Sequence, residues 1–145
     1  MNTVRSTFRP MLSLLLALAF PGAALAGGDA AVGEKEFSKC KACHSIIAAD
    51  GSALVKGGKV GPNLFGVIGR PAASLPGFKY GPSILAAGAK GLVWDEALLS
   101  TYVQDPTAFL KDYLGDDAAK SKMTFKLAKK SEDVAAYLAS LAAAP

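Results

Sequence analysis

Cys40-Lys-Ala-Cys43-His44 is the stretch around which this chain must fold, because it is a C-x-x-C-H sequence. The pattern is the attachment site of a c-type haem, in which each thiol forms a thioether bond with the same porphyrin. The histidine that follows can bind the iron through an imidazole nitrogen. No other cysteine or histidine occurs in the chain. The motif therefore predicts one covalently attached haem c, held by Cys40 and Cys43, with His44 as an iron ligand.

The cysteine pair has two other interpretations. An exported protein with two cysteines often contains a disulfide, and a C-x-x-C pair can be a thioredoxin-like redox motif. Thioredoxin-like folds place that motif after a strand, at the start of a helix. Here the motif ends a helix-like segment, and His44 follows it directly. Haem attachment is therefore the favoured interpretation.

Residues 1–26 have the features of a secretory signal peptide. Two arginines precede an apolar run from Met11 to Phe20, and Ala24-Leu25-Ala26 is a small-x-small cleavage site. A retained membrane anchor is not favoured, because a span needs about 20 apolar residues. We expect cleavage after Ala26, which leaves residues 27–145 as one haem-binding domain and a soluble protein of the periplasm.

The formal net charge of +4 is not a sign of nucleic-acid binding. Two of the sixteen basic residues lie in the predicted signal peptide, and two haem propionates would nearly cancel the remaining excess. We therefore expect no nucleic-acid partner. No second apolar run is long enough to cross a membrane, so residues 27–145 are not expected to be membrane-inserted.

Apolar spacing and capping residues predict an all-α fold, with short helices around a cofactor. The expected helices are 30–42 after the cap Asp29, one turn over 83–87 stopped by Gly88, a helix capped by Asp95 and ended by Pro106, a helix that begins at Asp105-Pro106 and breaks at 115–117, and a last helix capped by Ser131. Residues 45–82 are rich in glycine and proline, which predicts a long loop over the haem. No alternating strand pattern is present.

Met123 is the predicted second axial ligand. Met1 and Met11 leave with the signal peptide, so Met123 is the only methionine of residues 27–145. It lies in a mostly polar loop, whereas a methionine that fills a core lies among apolar residues. A His/Met pair stabilises reduced iron and suits an electron carrier. The alternative is an open sixth position, as in a gas sensor or a peroxidase-like cytochrome.

Stretches from residue 33 to residue 138 resemble the class I c-type cytochromes, most closely the cytochrome c2 of purple photosynthetic bacteria. They are Gly33-x3-Phe37 before the haem motif, Gly61-Pro-Asn-Leu-Phe-Gly-Val-Ile-Gly-Arg70, Pro76-Gly-Phe-Lys-Tyr80, Trp94, Tyr102-Val-Gln-Asp-Pro106, Lys122-Met123 and Asp133-Val-Ala-Ala-Tyr137-Leu138. Residues 48–56 and 114–120 are longer than in the shortest members.

The resemblance implies the class I cytochrome c fold and a one-electron carrier, not an enzyme. It implies the cytochrome bc1 complex as electron donor and a photosynthetic reaction centre or terminal oxidase as acceptor, with the carrier a monomer. These partners are membrane complexes, and the carrier would move between them for photosynthesis or respiration.

The resemblance also implies roles for single residues. The Pro62 carbonyl should accept a hydrogen bond from His44, and Tyr102 should approach the Met123 sulfur. A buried propionate should be hydrogen-bonded by Tyr80 and Trp94, with Arg70 supplying charge nearby. Gly33 and Phe37 should meet Tyr137 where the first and last helices cross. Taken singly, each aromatic residue would equally fit a core position with a hydrogen-bonded polar tip.

Lysines are concentrated beside both predicted ligands. They are Lys35, Lys39 and Lys41 around the attachment motif, and Lys120, Lys122, Lys126, Lys129 and Lys130 around Met123. Acidic residues lie mostly elsewhere, for example at Asp95. Each lysine alone is an ordinary solvated side chain. If both segments border the exposed haem edge, the lysines surround it and steer association with acidic partner faces. The six lysines predicted to dock a partner are Lys39, Lys41, Lys122, Lys126, Lys129 and Lys130.

Overall fold

Five α-helices carry the fold of residues 27–142, the part of the chain that this computed structural model describes. They are α1 Ala30–Glu36, α2 Pro82–Ala89, α3 Glu96–Gln104, α4 Pro106–Leu114 and α5 Ser131–Ala142. A 3₁₀ turn, Phe37–Lys39, follows α1, and a two-stranded antiparallel sheet pairs β1 Ile46–Ile47 with β2 Ala53–Val55. The predicted signal peptide, residues 1–26, lies outside the described residues. Within residues 27–142, no helix is both long enough and apolar enough to span a membrane.

Three aspartates begin helices, as the sequence predicts. Asp29 accepts hydrogen bonds from two backbone N–H groups of α1, and Asp95 Oδ1 accepts one from Leu98 N at 2.6 Å. Asp105 Oδ1 accepts from Ala108 N at 3.1 Å and caps α4. Pro106 is the first residue of α4, where its missing N–H leaves no intrahelical bond unmade. Asp105 and Pro106 therefore fix where α3 ends and α4 begins.

The crossing of α1 and α5 sets the position of the haem motif. Gly33 is buried in this crossing, and a Cβ there would collide with the carbonyl of Asp133. Phe37 and Tyr137 pack with ring centroids 5.7 Å apart. The predicted contact of Gly33 and Phe37 with Tyr137 is confirmed. Because the motif begins immediately after this crossing, the end of α1 anchors the attachment site to the core.

A second part of the core is aromatic and lies around α3 and α4. The Trp94 ring centroid is 5.0 Å from that of Tyr102 and 6.0 Å from that of Phe109. Tyr102 and Phe109 meet edge to face at 5.5 Å. Such pairs contribute about 0.5–1.5 kcal/mol beyond the burial of their area. The cluster ties the loop before α3 to both helices.

The predicted helix over residues 30–42 is shorter in the structure. The α-helix ends at Glu36, and the chain tightens into the 3₁₀ turn before the motif. Cys43 N and His44 N then both donate to the Cys40 carbonyl, at 3.1 Å and 3.0 Å. This tight turn, instead of a continued helix, brings the two cysteines and the histidine together.

The prediction that residues 45–82 form only loop is wrong at its start. Ile46 pairs with Val55 and Ile47 pairs with Ala53, with an irregularity between the two pairs. Gly51 supplies a φ of 85° in the connecting turn, and Ile46 is fully buried. Most of the longer stretch noted at residues 48–56 therefore forms this hairpin, which packs through Ile46 onto the core.

The predicted turn over residues 83–87 is in fact the eight-residue helix α2. Pro82 is its first residue. Gly88 does not end the helix but lies inside it. A Cβ at this position would collide with the carbonyl of Ala72. The chain leaves the helix at Lys90 and Gly91, where φ is 97°. Gly88 therefore permits close packing of α2 against the loop.

Ser131 does not cap α5 as predicted. It is the first helical residue, it is buried, and its hydroxyl lies 2.9 Å from Ser100 Oγ. It also accepts a hydrogen bond from Gln104 Nε2 at 2.9 Å. Because both partners belong to α3, the Ser131 hydroxyl connects α5 to α3.

Candidate functional site

The two cysteine thiols differ in their surroundings. Cys43 is exposed, whereas Cys40 is partly buried against the core. Burial raises the pKa of the Cys40 thiol to about 11, and the nearby Glu36 carboxylate adds to this effect. A redox-active C-x-x-C pair requires the opposite direction, a thiol whose pKa is lowered. The Cys40 thiol is therefore poorly suited to thiol–disulfide exchange.

The His44 ring is held by one hydrogen bond in a defined tautomer. His44 Nδ1 lies 2.8 Å from the Pro62 carbonyl oxygen. Because a carbonyl can only accept, Nδ1 carries the proton and donates it. The Nε2 lone pair is then left to bind a metal, which is the usual arrangement of a metal-ligating histidine and its hydrogen-bond partner.

The backbone at Gly61 forms a close support for the same ring. A Cβ at Gly61 would lie 2.6 Å from His44 Nε2 and would collide with the ring carbon Cε1. Burial lowers the pKa of His44 below its usual 6.5, and the bond to Pro62 only partly opposes this effect. The imidazole is therefore held in one orientation and in its neutral, metal-binding form.

Asn63 fixes the loop that supplies the Pro62 carbonyl, a role that the sequence analysis did not identify. Its Oδ1 accepts from Ile47 N at 2.9 Å, and its Nδ2 donates to Ile47 O at 2.8 Å. Arg70 donates to the carbonyls of Asn63 and Phe65, at 3.0 Å and 3.2 Å. The only signal for Asn63 was its position directly after Pro62. In the structure, Arg70 braces the histidine-supporting loop.

Met123 lies at the end of a chain of hydroxyl contacts. Met123 N donates to Ser121 Oγ at 3.0 Å, and Ser121 Oγ lies 3.1 Å from the hydroxyl of Tyr102. Ser121 N also donates to Thr107 Oγ1 at 3.2 Å. The predicted neighbour Tyr102 thus reaches the Met123 segment through Ser121. A serine two residues before Met123 is a common local turn residue, but the sequence analysis did not single it out.

The remaining two aromatic candidates are held in different ways. The Tyr80 hydroxyl accepts from Leu75 N at 3.3 Å, and its ring packs on Phe78 at 4.8 Å. Trp94 is buried in the aromatic cluster of α3 and α4. Trp94 therefore has core contacts, whereas Tyr80 is half-buried and contacts Leu75 and Phe78 of its own loop.

Four of the six lysines predicted to dock a partner make polar contacts within the chain. Lys39 and Lys130 both pair with Glu36, and Lys126 pairs with Asp105 at 2.6 Å. Lys122 Nζ lies 3.5 Å from the carbonyls of Lys79 and Tyr80. The other two, Lys41 and Lys129, are exposed and have no ion pair within residues 27–142.

These donors fit a c-type haem. The motif turn presents two free thiols beside a neutral imidazole whose Nε2 is unprotonated. Gly61 leaves room for that ring and for no side chain of its own. Met123 adds a partly buried thioether, and imidazole and thioether are a common ligand pair of electron-transfer haems. The chemistry that these residues support is one-electron transfer.

Comparison with known proteins gives relatives along most of the chain, although no family model matches it. The chain is 62% identical over 126 residues to cytochrome c2 of Rhodobacter capsulatus, which covers 87% of this chain and 90% of that protein. It is 58% identical over 126 residues to cytochrome c-550 of Paracoccus versutus, which covers 86% of this chain and 81% of that protein.

Solved structures give the same result. The structure of cytochrome c2 from Rhodobacter capsulatus matches with a TM-score of 0.77 at 65% identity, covering 78% of this chain and 97% of that chain. The structure of cytochrome c2 from Paracoccus denitrificans matches with a TM-score of 0.78 at 56% identity, covering 79% and 97%. The fold predicted for residues 27–142 is therefore confirmed.

Proposed function

Since the chain belongs to the cytochrome c2 family of class I c-type cytochromes, we propose that it carries single electrons from the cytochrome bc1 complex to a photosynthetic reaction centre or a terminal oxidase. Members of this family are electron carriers rather than enzymes, and they carry one covalent haem c. When bound, the haem supplies a one-electron couple between ferric and ferrous iron.

The proposed attachment and ligation use four side chains. Cys40 and Cys43 form the thioether bonds, and His44 Nε2 and the Met123 sulfur bind the iron. The observation that carries the proposal is the hydrogen bond from His44 Nδ1 to the Pro62 carbonyl, at 2.8 Å. It leaves Nε2 as the only basic nitrogen of the ring and increases its strength as a ligand.

Met123 is the strongest partner for His44 among the residues that the structure describes. His44 is the only histidine in the sequence, and Met123 is the only methionine of residues 27–142. The contact of Met123 N with Ser121 Oγ holds its backbone in place beside Tyr102. With His44 and Met123 both bound to the iron, small ligands would be excluded and the iron surroundings would change little on electron transfer.

The surrounding polar residues have proposed roles toward the haem. Tyr80 and Trp94 would hydrogen-bond a propionate, and Arg70 would supply positive charge close to it. Tyr102 would lie near the Met123 sulfur. Arg70 and Tyr80 come from the long loop 45–82, Trp94 from the segment before α3, and Tyr102 from α3. The aromatic cluster holds this segment and α3 against α4.

The lysines around the two ligand segments form the proposed docking surface. Its members are Lys39, Lys41, Lys122, Lys126, Lys129 and Lys130. The support is that Lys39 and Lys130, from the two separate segments, contact the same Glu36 carboxylate. The lysine groups of the two segments therefore meet, and an acidic face of a partner can contact both. We further propose that residues 1–26 direct export to the periplasm and are removed.

The proposed function is tested by electron transfer from purified cytochrome bc1 complex to the haem-loaded protein at increasing salt. We expect reversible one-electron reduction, and a second-order rate that approaches about 10⁸ M⁻¹s⁻¹ at low salt and falls steeply as salt is added. Lys129→Glu should slow the reaction at low salt, whereas the control Asp95→Lys should have little effect. Rates independent of salt and of Lys129 would contradict docking through this surface.

A further inference from the structure

Glu36 is a carboxylate that lies between two lysines of the proposed docking surface. Its Oε2 is 2.6 Å from Lys39 Nζ, and its Oε1 is 3.6 Å from Lys130 Nζ. The Glu36 side chain is 17% exposed, whereas those of Lys39 and Lys130 are 54% and 52% exposed. A partner can therefore reach both ammonium groups, but each of them already faces a carboxylate of its own chain.

The position of Glu36 gives this contact its importance for docking. Lys39 immediately precedes the attachment motif, and Lys130 ends the segment after Met123. One carboxylate thus offsets positive charge on both ligand-bearing segments. Lys41 and Lys129, by contrast, are exposed and without an ion pair inside the described part of the chain. The docking surface therefore contains both paired and unpaired ammonium groups.

We propose that Glu36 is an internal competitor for an acidic protein partner, one that occupies Lys39 and Lys130 in the free protein and so weakens docking. The proposal rests on the docking surface proposed above and assigns a regulatory residue to it. A partner carboxylate that approaches Lys39 or Lys130 is repelled by Glu36. The attraction that it gains from each ammonium group is reduced, because Glu36 already neutralises part of that charge. Lys41 and Lys129 offer their full charge. Weakened docking favours fast release, which a carrier with two successive partners requires.

The matched test compares Glu36→Gln with Glu34→Gln in the haem-loaded protein. Both residues belong to α1, and both substitutions remove one negative charge, so any effect of net charge is shared. Glu34 is exposed, makes no ion pair within residues 27–142 and lies on the side of α1 near Tyr137. The probe is immobilised poly-L-glutamate at about 10 mM ionic strength, where the screening length is about 30 Å.

We expect Glu36→Gln to bind the probe about two- to fivefold more tightly than Glu34→Gln, the size expected for releasing exposed ion pairs. The difference should disappear when Lys39 and Lys130 are also replaced by glutamine, because no ammonium groups remain to be released. Equal affinities of the two variants, or a difference that persists without these lysines, would overturn the proposal. In the second case Glu36 would act by simple repulsion.

A second comparison leaves Glu36 intact and therefore does not depend on whether a protein substituted at Glu36 folds. Lys39→Gln/Lys130→Gln should weaken binding less than Lys41→Gln/Lys129→Gln, although each pair of substitutions removes two positive charges. Equal losses would contradict competition by Glu36 while leaving the docking surface in place. Binding that neither lysine pair affects would overturn the docking surface itself, so the two failures are distinguishable.

Discussion

At the scale of single residues, the site depends on how the backbone holds one imidazole ring. The Pro62 carbonyl determines which nitrogen of His44 is protonated, and the missing side chain of Gly61 leaves space for the ring. Asn63 then fixes this loop to β1 by two hydrogen bonds to Ile47. The orientation of the imidazole is thus set by residues of the loop 61–70 and not by the C-x-x-C-H motif alone.

Replacing Gly61 by alanine tests this support. The new Cβ would collide with the His44 ring, so the ring or the loop must shift. We expect the free energy of unfolding of the haem-loaded protein to fall by about 1–3 kcal/mol, as for an overpacked core. Urea unfolding measures the loss.

Gly81→Ala is the matched control for this substitution. A Cβ at Gly81 would approach only the flexible methylenes of Lys122, the nearest at 3.2 Å, and we expect a smaller loss. An equal loss in both variants would mean that the contact with the His44 ring has no special importance.

Residue identities could be predicted where chemistry leaves few choices. His44 and Met123 are proposed as ligands from the motif and from the scarcity of histidine and methionine in the chain. Ser121, Asn63 and Glu36 could not be predicted in the same way. Serine, asparagine and glutamate are common surface residues, and their roles arise only from contacts that the folded chain brings together.

At the scale of elements, Asp105 joins the Met123 segment to the start of α4. Its Oδ1 caps the helix, while its Oδ2 pairs with Lys126 Nζ at 2.6 Å. The backbone adds a second connection, because Leu127 N donates to the Val103 carbonyl at 2.8 Å. One aspartate therefore both begins a helix and holds the loop that carries the proposed ligand.

Replacing Asp105 by asparagine separates the two roles of this residue. Asparagine caps helices about as well as aspartate, so only the charge on Lys126 loses its partner. The pKa of Asp105 is lowered below its usual 3.8, mainly by the hydrogen bond from Lys126. A lowered pKa means that the carboxylate stabilises the fold above pH 3.8 and that this stability is lost as the pH falls through the folded-state pKa.

We therefore expect Asp105→Asn to be less stable than the wild type at neutral pH and to match it in strong acid. Urea unfolding at both pH values checks this. Asp112→Asn is the control on the same helix, because Asp112 is exposed and has no ion pair within residues 27–142. A stability difference between Asp105→Asn and wild type that is unchanged in strong acid would show that the ion pair with Lys126 is not its cause.

Helix starts were easier to predict than the hairpin. Asp29, Asp95 and Asp105-Pro106 are local signals, and a cap acts within one turn. The strands β1 and β2 have two and three residues, too few for an alternating pattern to appear. Asp50-Gly51 was a local turn signal, but the pairing itself depends on burial of Ile46 against the core.

At the scale of the whole molecule, the chain brings two distant segments onto one surface. The attachment motif follows α1, and the Met123 segment precedes α5, so the crossing of α1 and α5 places both near Glu36. The sequence predicted that lysines gather around both segments. It could not predict the pairing of Lys126 and Lys130, because the carboxylates of Asp105 and Glu36 reach them only in the folded chain.

The most direct test of His44/Met123 ligation is the optical spectrum of the purified, haem-loaded protein, together with its binding of carbon monoxide. If the site is six-coordinate, we expect the oxidised protein to show the weak red absorption band that is assigned to the iron–sulfur bond in this family. We also expect no ready binding of carbon monoxide in the reduced state. Met123→Ala should lose the band and bind the gas. A wild-type protein without the band that binds carbon monoxide readily would contradict ligation by Met123 and the role of a closed electron carrier.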